Sequence, residues 1–162
     1  LLKYIPSTEQ FIHYQMNMDD QPTISGNAIS SIYQDSEENI WIGTDNGLSI
    51  YNHKTNGFSQ YNNSPNNPYS ISNDFVITFF EDKHNMMWIG TFSGVNRWDP
   101  NMATFRQYST QTNPVLKNNN ITSFAQFDQE NLFFSTYGGG IYQLSQHDNS
   151  ISPVVFNGSF SK

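Results

Sequence analysis

A repeat of 47 residues constrains this chain more than any other feature of its sequence. Residues 39–44 read Asn-Ile-Trp-Ile-Gly-Thr, and residues 87–91 read Met-Trp-Ile-Gly-Thr. Each stretch leads directly into a turn that contains glycine. Residues 132–136, Leu-Phe-Phe-Ser-Thr, are followed in the same way by Tyr137 and three glycines. A repeat of this length indicates an architecture in which similar structural units pack against one another.

Shifting the sequence by 47 residues aligns many positions besides the tryptophans. The matching pairs are Ile29 with Val76, Ile32 with Phe79, Asp35 with Asp82, Gly47 with Gly94, Tyr51 with Trp98, Phe58 with Phe105 and Tyr61 with Tyr108. A third copy matches at an offset of 45, or 46 after one extra glycine, and its aspartate, Asp128, has moved by one position. The sequence therefore predicts a half-repeat at 1–14 and three repeats at 24–61, 71–108 and 118–156.

Each complete repeat predicts four short strands. In the first repeat they cover 28–34, 39–44, 48–52 and 58–61, and the other repeats show the same order. The second strand is almost entirely apolar, as expected of a strand that is buried on both faces. Aromatic and β-branched runs between frequent turn residues, with few helix-forming residues, favour an all-β protein.

Four strands in about 45 residues match the size of one blade of a β-propeller. The chain would then hold about three and a half four-stranded blades, and large aromatic residues would form the core between blades. These residues are Trp41, Trp88, Phe133, Tyr51, Trp98, Phe58 and Phe105. Asp35 and Asp82 are predicted to head Asx turns, and Gly47 and Gly94 to permit a turn with positive φ.

The repeats resemble the two-component regulator propeller repeat. The resemblance rests on ISSIYQDSEENIWIGTDNGLSIY and VITFFEDKHNMMWIGTFSGVNRW, and on STYGGGIYQL in the third copy. It covers most of the chain, and it implies the periplasmic sensor region of a bacterial hybrid two-component system, which commonly responds to oligosaccharides. It also implies a seven-bladed propeller of about 330 residues, so this chain would be a fragment whose open blade surfaces favour self-association.

Composition excludes several classes of function. The net charge of −7, with only seven scattered Lys and Arg residues, argues against nucleic-acid binding. No run of ~18 apolar residues is present, so no direct membrane insertion is expected. The chain has no cysteine, and its four histidines lack a metal-ligand spacing, so no metal and no cofactor are expected.

No catalytic residue is predicted. The acidic pairs Asp19-Asp20, Glu37-Glu38 and Glu81-Asp82 could suggest the acid and base of a glycosidase. However, neighbouring residues of a strand point to opposite faces, and the first two pairs fall in turns, so solvated surface is the favoured interpretation. The spacing from Asp35 to Trp41 resembles a sialidase Asp-box with one extra residue, which would be a structural motif. A sialidase arginine triad is excluded because the chain has only Arg97 and Arg106.

A candidate ligand site follows from propeller geometry. The turns between the second and third strands open on the same edge as the long loops between blades, which cover 62–73 and 109–120. The residues predicted to bind a ligand there are Asp45, Asn46, Phe92, Ser93 and Tyr137. Aromatic rings beside amides and hydroxyls suit a sugar, because rings stack on its C–H face while polar groups bond its hydroxyls.

Three hypotheses about function remain open from the sequence. The first is a non-enzymatic periplasmic sensor module that binds an oligosaccharide, or docks a neighbouring domain, to regulate a kinase. The second is a fragment of a propeller lyase or hydrolase acting on carbohydrate. The third is a purely structural propeller for protein interaction. The expected partners are the remaining blades of the parent protein, and an oligosaccharide in the first hypothesis.

Overall fold

A computed structural model describes residues 1–16 and 23–155 of the chain. These residues form fourteen strands, and no helix is present among them. A half-blade contains β1 (Leu2–Ile5) and β2 (Gln10–His13). Blade 1 contains β3 (Ile29–Gln34), β4 (Ile40–Thr44), β5 (Gly47–Asn52) and β6 (Gly57–Tyr61). Asp19, Asp20 and the predicted last residue of the third repeat, Phe156, lie outside the described residues.

The remaining strands form two more sheets of four. Blade 2 contains β7 (Val76–Glu81), β8 (Met87–Thr91), β9 (Gly94–Asp99) and β10 (Thr104–Tyr108). Blade 3 contains β11 (Ile121–Gln126), β12 (Asn131–Thr136), β13 (Gly140–Ser145) and β14 (Ile151–Pro153). Every sheet is an antiparallel meander in chain order. The first strands of successive blades are in contact: β3 contacts β7, and β7 contacts β11. The predicted all-β fold of propeller blades is therefore confirmed.

The first strand of every blade carries the same irregularity. The strand register shifts by one residue between Ile29 and Ser31, and it does so again at the corresponding places in β7 and β11. An extra residue of this kind is a β-bulge, which increases the local twist of a strand. The three sequence repeats therefore also share a β-bulge at the same position of their first strand.

Three clusters of buried side chains join the blades. Trp41 packs beside Phe79 and Trp98, with ring centroids 6.1 and 5.9 Å away, and so joins blade 1 to blade 2. Trp88 is fully buried in the next cluster, which includes Leu132 and Tyr142 of blade 3. A third cluster, with Tyr51 and Phe58 of blade 1, receives Leu1 and Tyr14 beside the half-blade.

Phe133 differs from the prediction that it belongs to the core between blades. It is only half-buried, it contacts Phe127, and it lies outside the core clusters of the described residues. Its neighbour Phe134 is buried instead, against Tyr142. The physical reason is that side chains alternate along β12, so Phe133 lies on the face opposite to Leu132 and Phe134, where no other described blade packs.

The glycine of the Trp-Ile-Gly-Thr stretch is required by close approach of both the first strand of its own blade and the next blade. A Cβ on Gly43 would lie 2.6 Å from Ser31 Oγ and 2.8 Å from Val76 Cγ1 of blade 2. One on Gly90 would lie 2.7 Å from Thr78 Cγ2 and 2.8 Å from Ile121 Cγ2 of blade 3. Val76 and Ile121 are fully buried at the start of the following blade. The small residue therefore sets how closely neighbouring blades can pack. The corresponding residue of blade 3 is Ser135.

Replacing Gly90 with alanine is expected to lower the free energy of unfolding by about 1–3 kcal/mol, because the new methyl group overpacks the contact with Ile121. Urea denaturation measures the difference. The matched control is Gly57→Ala, where the nearest heavy atom to the new Cβ is 3.5 Å away. Equal stability of Gly90→Ala and the parent protein would contradict the packing role of this glycine.

Candidate functional site

The turns that carry the predicted ligand residues are built by a buried threonine. Thr44 Oγ1 accepts the N–H of Asn46 at 3.0 Å and donates to the carbonyl of Gly47 at 2.8 Å. Thr91 makes the same two bonds, with Ser93 N–H and the Gly94 carbonyl, each at 3.1 Å. The two glycines have φ of 114° and 132°. The threonines and glycines of the repeat therefore shape the turns, as predicted for Gly47 and Gly94.

Blade 3 builds its turn differently. Gly138 and Gly140 have positive φ, and the hydroxyl of Thr136 is buried without a hydrogen-bond partner in the structure. The Tyr137 N–H donates to the carbonyl of Asn120 at 2.9 Å, which ties the turn to the preceding loop. The same tie holds the other turns, from Asp45 N–H to Ala28 and from Phe92 N–H to Phe75, each at 3.2 Å. We call this side of the three blades, which carries the turns at Asp45, Phe92 and Tyr137, the ligand edge because the predicted ligand residues lie there.

The predicted residues lie on the ligand edge, but they differ in how free they are. Asp45 is exposed. The side-chain amide N–H of Asn46 donates to the carbonyl of Ser25 at 2.8 Å. Phe92 is 45% exposed and stacks on Phe75 with centroids 4.2 Å apart, so its other side remains accessible. Tyr137 is 72% exposed. Asp45, Phe92 and Tyr137 are therefore available to a ligand, whereas Asn46 is already used within the fold.

The opposite edge is organised by aspartates at the turn between the first and second strands. Asp35 accepts the backbone N–H groups of Glu37 and Asn39 at 3.0 and 2.8 Å, and the indole N–H of Trp41 at 2.8 Å. We call this side the Asp-turn edge. The predicted Asx turn is present, and the bond to the indole is an additional role. The sequence signal for it is the spacing of six residues between Asp and Trp in two repeats.

Asp82 makes the most complete version of this turn. It is 5% exposed and accepts the N–H groups of His84 and Met86 at 2.8 and 3.0 Å. Its second oxygen accepts the indole N–H of Trp88 at 2.6 Å and the amide of Gln146, from blade 3, at 2.9 Å. The carboxylate therefore fixes the turn, orients the buried tryptophan and joins two blades.

Asp128 forms a shorter Asx turn in blade 3, without an indole partner. It accepts the N–H groups of Glu130 and Asn131 at 2.8 and 2.7 Å, and the side chain of Asn131 as well. The Asn131 side chain first, and then these backbone groups, hold the pKa of the Asp128 carboxyl below its ordinary value. An Asx turn is therefore present although the aspartate is displaced by one position, and the side chain of Phe133 has no N–H for the carboxylate to accept.

Four of the other acidic and histidine candidates have structural partners. Glu81 accepts the N–H and the hydroxyl of Ser36 at 2.9 and 2.5 Å, across the contact between blades 1 and 2. Glu38 pairs with His53 at 3.4 Å. His84 lies 2.7 Å from the carbonyl of Gln129. Within 1–16 and 23–155, no group of three or more acidic or histidine side chains could hold a metal ion.

One charged residue to which the sequence assigned no role faces the contact between blades 2 and 3. Arg97 aligns with Ile50 of blade 1 and Gln143 of blade 3, so the change from an apolar to a charged residue was visible at the 47-residue offset. Its guanidinium lies over the ring of Trp88, 6.0 Å from the centroid. It lines a cleft on the Asp-turn edge whose other charged or titratable groups are Asp82, His84, Glu130 and His147.

The repeats, the four-stranded sheets and the contacts between them define a partial β-propeller. Two stretches, residues 23–46 and 70–93, match the family described as "Two component regulator propeller". These two stretches therefore match two-component regulator propeller repeats, in agreement with the resemblance found in the sequence.

Solved structures share the fold of this chain. The chain is similar to the extracellular domain of the putative hybrid two component system BT3049 from B. thetaiotaomicron, with 27% identity, a TM-score of 0.80 and coverage of 93% of this chain. The extracellular domain of BT4673 from the same organism shares 23% identity and the fold, with a TM-score of 0.72 over 90% of this chain. PorZ of Porphyromonas gingivalis, a surface component of the type-IX secretion system, shares 20% identity and the fold, with a TM-score of 0.57 over 83%.

The chain spans about one fifth of the length of these structures, 21% for the first two and 20% for PorZ. No curated protein sequence matches it significantly. In the part of the chain that the structure describes, no helix has the length and hydropathy needed to cross a membrane.

Proposed function

We propose that this chain is a non-enzymatic part of the periplasmic sensor of a hybrid two-component system, where ligand binding to the propeller regulates a kinase. The observation that carries the proposal is the similarity to the extracellular domain of BT3049, at 27% identity over 93% of the chain. The matched regulator repeats support it independently. Kinase and membrane anchor would belong to other parts of the parent protein.

The ligand edge is the proposed sensing surface, and an oligosaccharide is the proposed ligand. Phe92 on blade 2 and Tyr137 on blade 3 offer exposed rings, and the Asp45 carboxylate is exposed on blade 1. A ring stacks on the C–H face of a sugar, and a carboxylate accepts hydrogen bonds from its hydroxyls. The hydrogen bonds between turns and loops hold these groups on rigid backbone, which limits the entropy lost on binding.

Calorimetric titration of the intact extracellular protein with a panel of neutral oligosaccharides tests this proposal. We expect Phe92→Ala and Tyr137→Ala each to weaken binding about tenfold, the loss that corresponds to about 1.4 kcal/mol. Phe127→Ala is the matched control, because Phe127 is 78% exposed and lies away from the ligand edge. Unchanged affinity in the first two variants would place the ligand elsewhere, and turnover of any oligosaccharide would contradict a non-enzymatic sensor.

A second candidate function is docking against other protein surfaces. Exposed apolar residues on the half-blade and on blade 3 favour it. Leu2 and Phe11 of the half-blade are 63% and 65% exposed, and Phe127 and Ile141 of blade 3 are 78% and 39% exposed. Exposed apolar groups mark an interaction surface where they form a contiguous patch. The proposed occupants are the remaining blades of the parent protein. Sedimentation of the isolated chain as concentration-dependent oligomers, with a monomeric parent, is the expected result.

A further inference from the structure

The two arginines of this chain lie directly opposite each other. Arg97 of β9 and Arg106 of β10 are Cα partners in the antiparallel ladder, so their side chains leave the same face of blade 2. They are the only arginines in a chain of net charge −7. Like charges directly opposite each other destabilise a pair of strands. Pairing the two arginines therefore lowers the stability of blade 2, and the fold does not require arginine at these positions.

Neither arginine is neutralised within the described residues. The one ion pair found there joins His53 to Glu38, so no carboxylate lies within 4.0 Å of either guanidinium. Arg97 has a single long hydrogen bond, from Nη1 to the Asn149 side-chain oxygen at 3.4 Å. Arg106 lies over the ring of Tyr108, 5.4 Å from the centroid. Most of the N–H donors of the two guanidinium groups are therefore available.

The two guanidinium groups are close enough to act on the same neighbour. Burial raises the pKa of the Tyr108 hydroxyl, and the positive charges of Arg106 and Arg97 both oppose that change. Trp88 and Tyr108, the rings beneath the two arginines, are 0% and 2% exposed and lie in one core cluster. Stacking on fixed rings orients the planar groups before a ligand arrives.

A groove beside the pair has the polar groups that a sugar would need. It is lined by Tyr69, Arg97, Thr104, Arg106, Gln107 and Thr112. Tyr69 is 63% exposed, so its ring is accessible. Asp99 also lines the groove, and it accepts the N–H of Asn101 at 2.9 Å in its own turn.

We propose that Arg97 and Arg106 form an oxyanion-binding site that takes the carboxylate or sulfate group of an acidic oligosaccharide. A planar guanidinium binds such groups with two parallel hydrogen bonds, and an anion bound by both arginines would offset the repulsion between their two positive charges. The inference rests on the proposed sensor function, because it names the chemical class of a ligand. The site differs from the ligand edge, and an acidic sugar would contact it through its charged group.

The test uses the intact protein and three probes in calorimetric titration: inorganic sulfate, trigalacturonate, and trigalacturonate with all carboxyl groups methyl-esterified. We expect trigalacturonate to bind at least tenfold more tightly than its neutral ester. Arg97→Gln and Arg106→Ser should each weaken trigalacturonate and sulfate binding about tenfold and leave the ester unaffected. Gln143 and Ser59 already stand at the corresponding positions of other blades, so the blade tolerates both residues. Lys54→Gln, an exposed loop charge on blade 1, is the control for net charge.

Several results would overturn the proposal. They are unchanged sulfate and trigalacturonate affinity in both arginine variants, an equal loss in Lys54→Gln, or no preference for the acid over its ester. If neutral oligosaccharides then still bind through Phe92 and Tyr137, the proposed function stands and only this site fails. If the acid binds through the arginines while Phe92→Ala and Tyr137→Ala have no effect, this site stands and the ligand edge fails.

Thermal unfolding separates a binding role from a structural one. Arg106 is exposed and faces a like charge, so Arg106→Ser is expected to raise the Tm of the protein without ligand. A residue kept for stability would lower the Tm on removal. The combination of lower anion affinity and higher Tm would support the site, and a lower Tm with unchanged affinity would contradict it.

Discussion

Truncation of Trp88 to alanine is expected to lower the free energy of unfolding by about 3–5 kcal/mol, among the largest effects of any single substitution in this chain. The indole is fully buried between blades 2 and 3, where it contacts Tyr108 at a centroid distance of 6.0 Å. Its removal leaves a cavity and deprives Asp82 of a donor. Urea denaturation followed by tyrosine and tryptophan fluorescence measures the loss.

Phe133→Ala is the matched control, because Phe133 holds the position of Trp88 in the third repeat. Phe133 is half-buried and contacts Phe127 on an uncovered face, so its truncation should cost well under half as much. Equal losses for the two variants would contradict the conclusion that Trp88 joins blades. They would instead indicate that the aromatic residue matters only within its own sheet.

Replacing Asp82 with alanine is expected to destabilise the protein by about 3 kcal/mol. Hydrogen bonds to a charged group contribute about 1.5–3 kcal/mol each but are not additive, and buried donors that lose their acceptor carry a further cost. The donors affected are the N–H groups of His84 and Met86, the Trp88 indole and the Gln146 amide. Denaturant unfolding at neutral pH gives the value.

Asp128→Ala should cost less, because Asp128 is exposed and solvent can replace the acceptor for Glu130 and Asn131. Gln146→Ala removes only the bond between blades, and it is expected to fall between the parent protein and Asp82→Ala. If Asp82→Ala and Asp128→Ala were equally stable, the indole and the contact with blade 3 would contribute nothing. The tryptophan spacing would then have no structural meaning.

Much of the fold follows from local sequence. A period of 47 residues, four runs of strand-forming residues per period, and an aspartate or glycine at each turn were enough to predict meandering four-stranded blades. The Asx turn at Asp35 was predictable because its carboxylate bonds backbone only two residues further along. Side-chain contacts within a turn depend on residues that are close in sequence, so pattern alone identifies them.

The candidate site was only partly predictable. The sequence placed Asp45, Phe92 and Tyr137 on one edge, because equivalent turns of successive blades open on the same side. It did not show that Asn46 is bonded to Ser25 or that Phe75 covers one face of Phe92. These contacts join residues of separate loops, and their distances depend on how the loops pack. Whether the edge binds a sugar stays a prediction for the titrations described above.

By itself, the sequence determined the all-β class, the repeating blade and the residues that shape each turn, since those depend on periodicity and short-range bonds. Only the tertiary structure decided how residues at equivalent positions of different repeats differ in burial. Trp88 is a core residue and Phe133 is not, because blade 3 packs over Trp88 whereas no further described blade packs over Phe133. The glycine in Trp-Ile-Gly-Thr proved to be a requirement of the first strand of its own blade and of the next blade. The two arginines became neighbours through strand pairing, which brings together side chains nine residues apart in the chain.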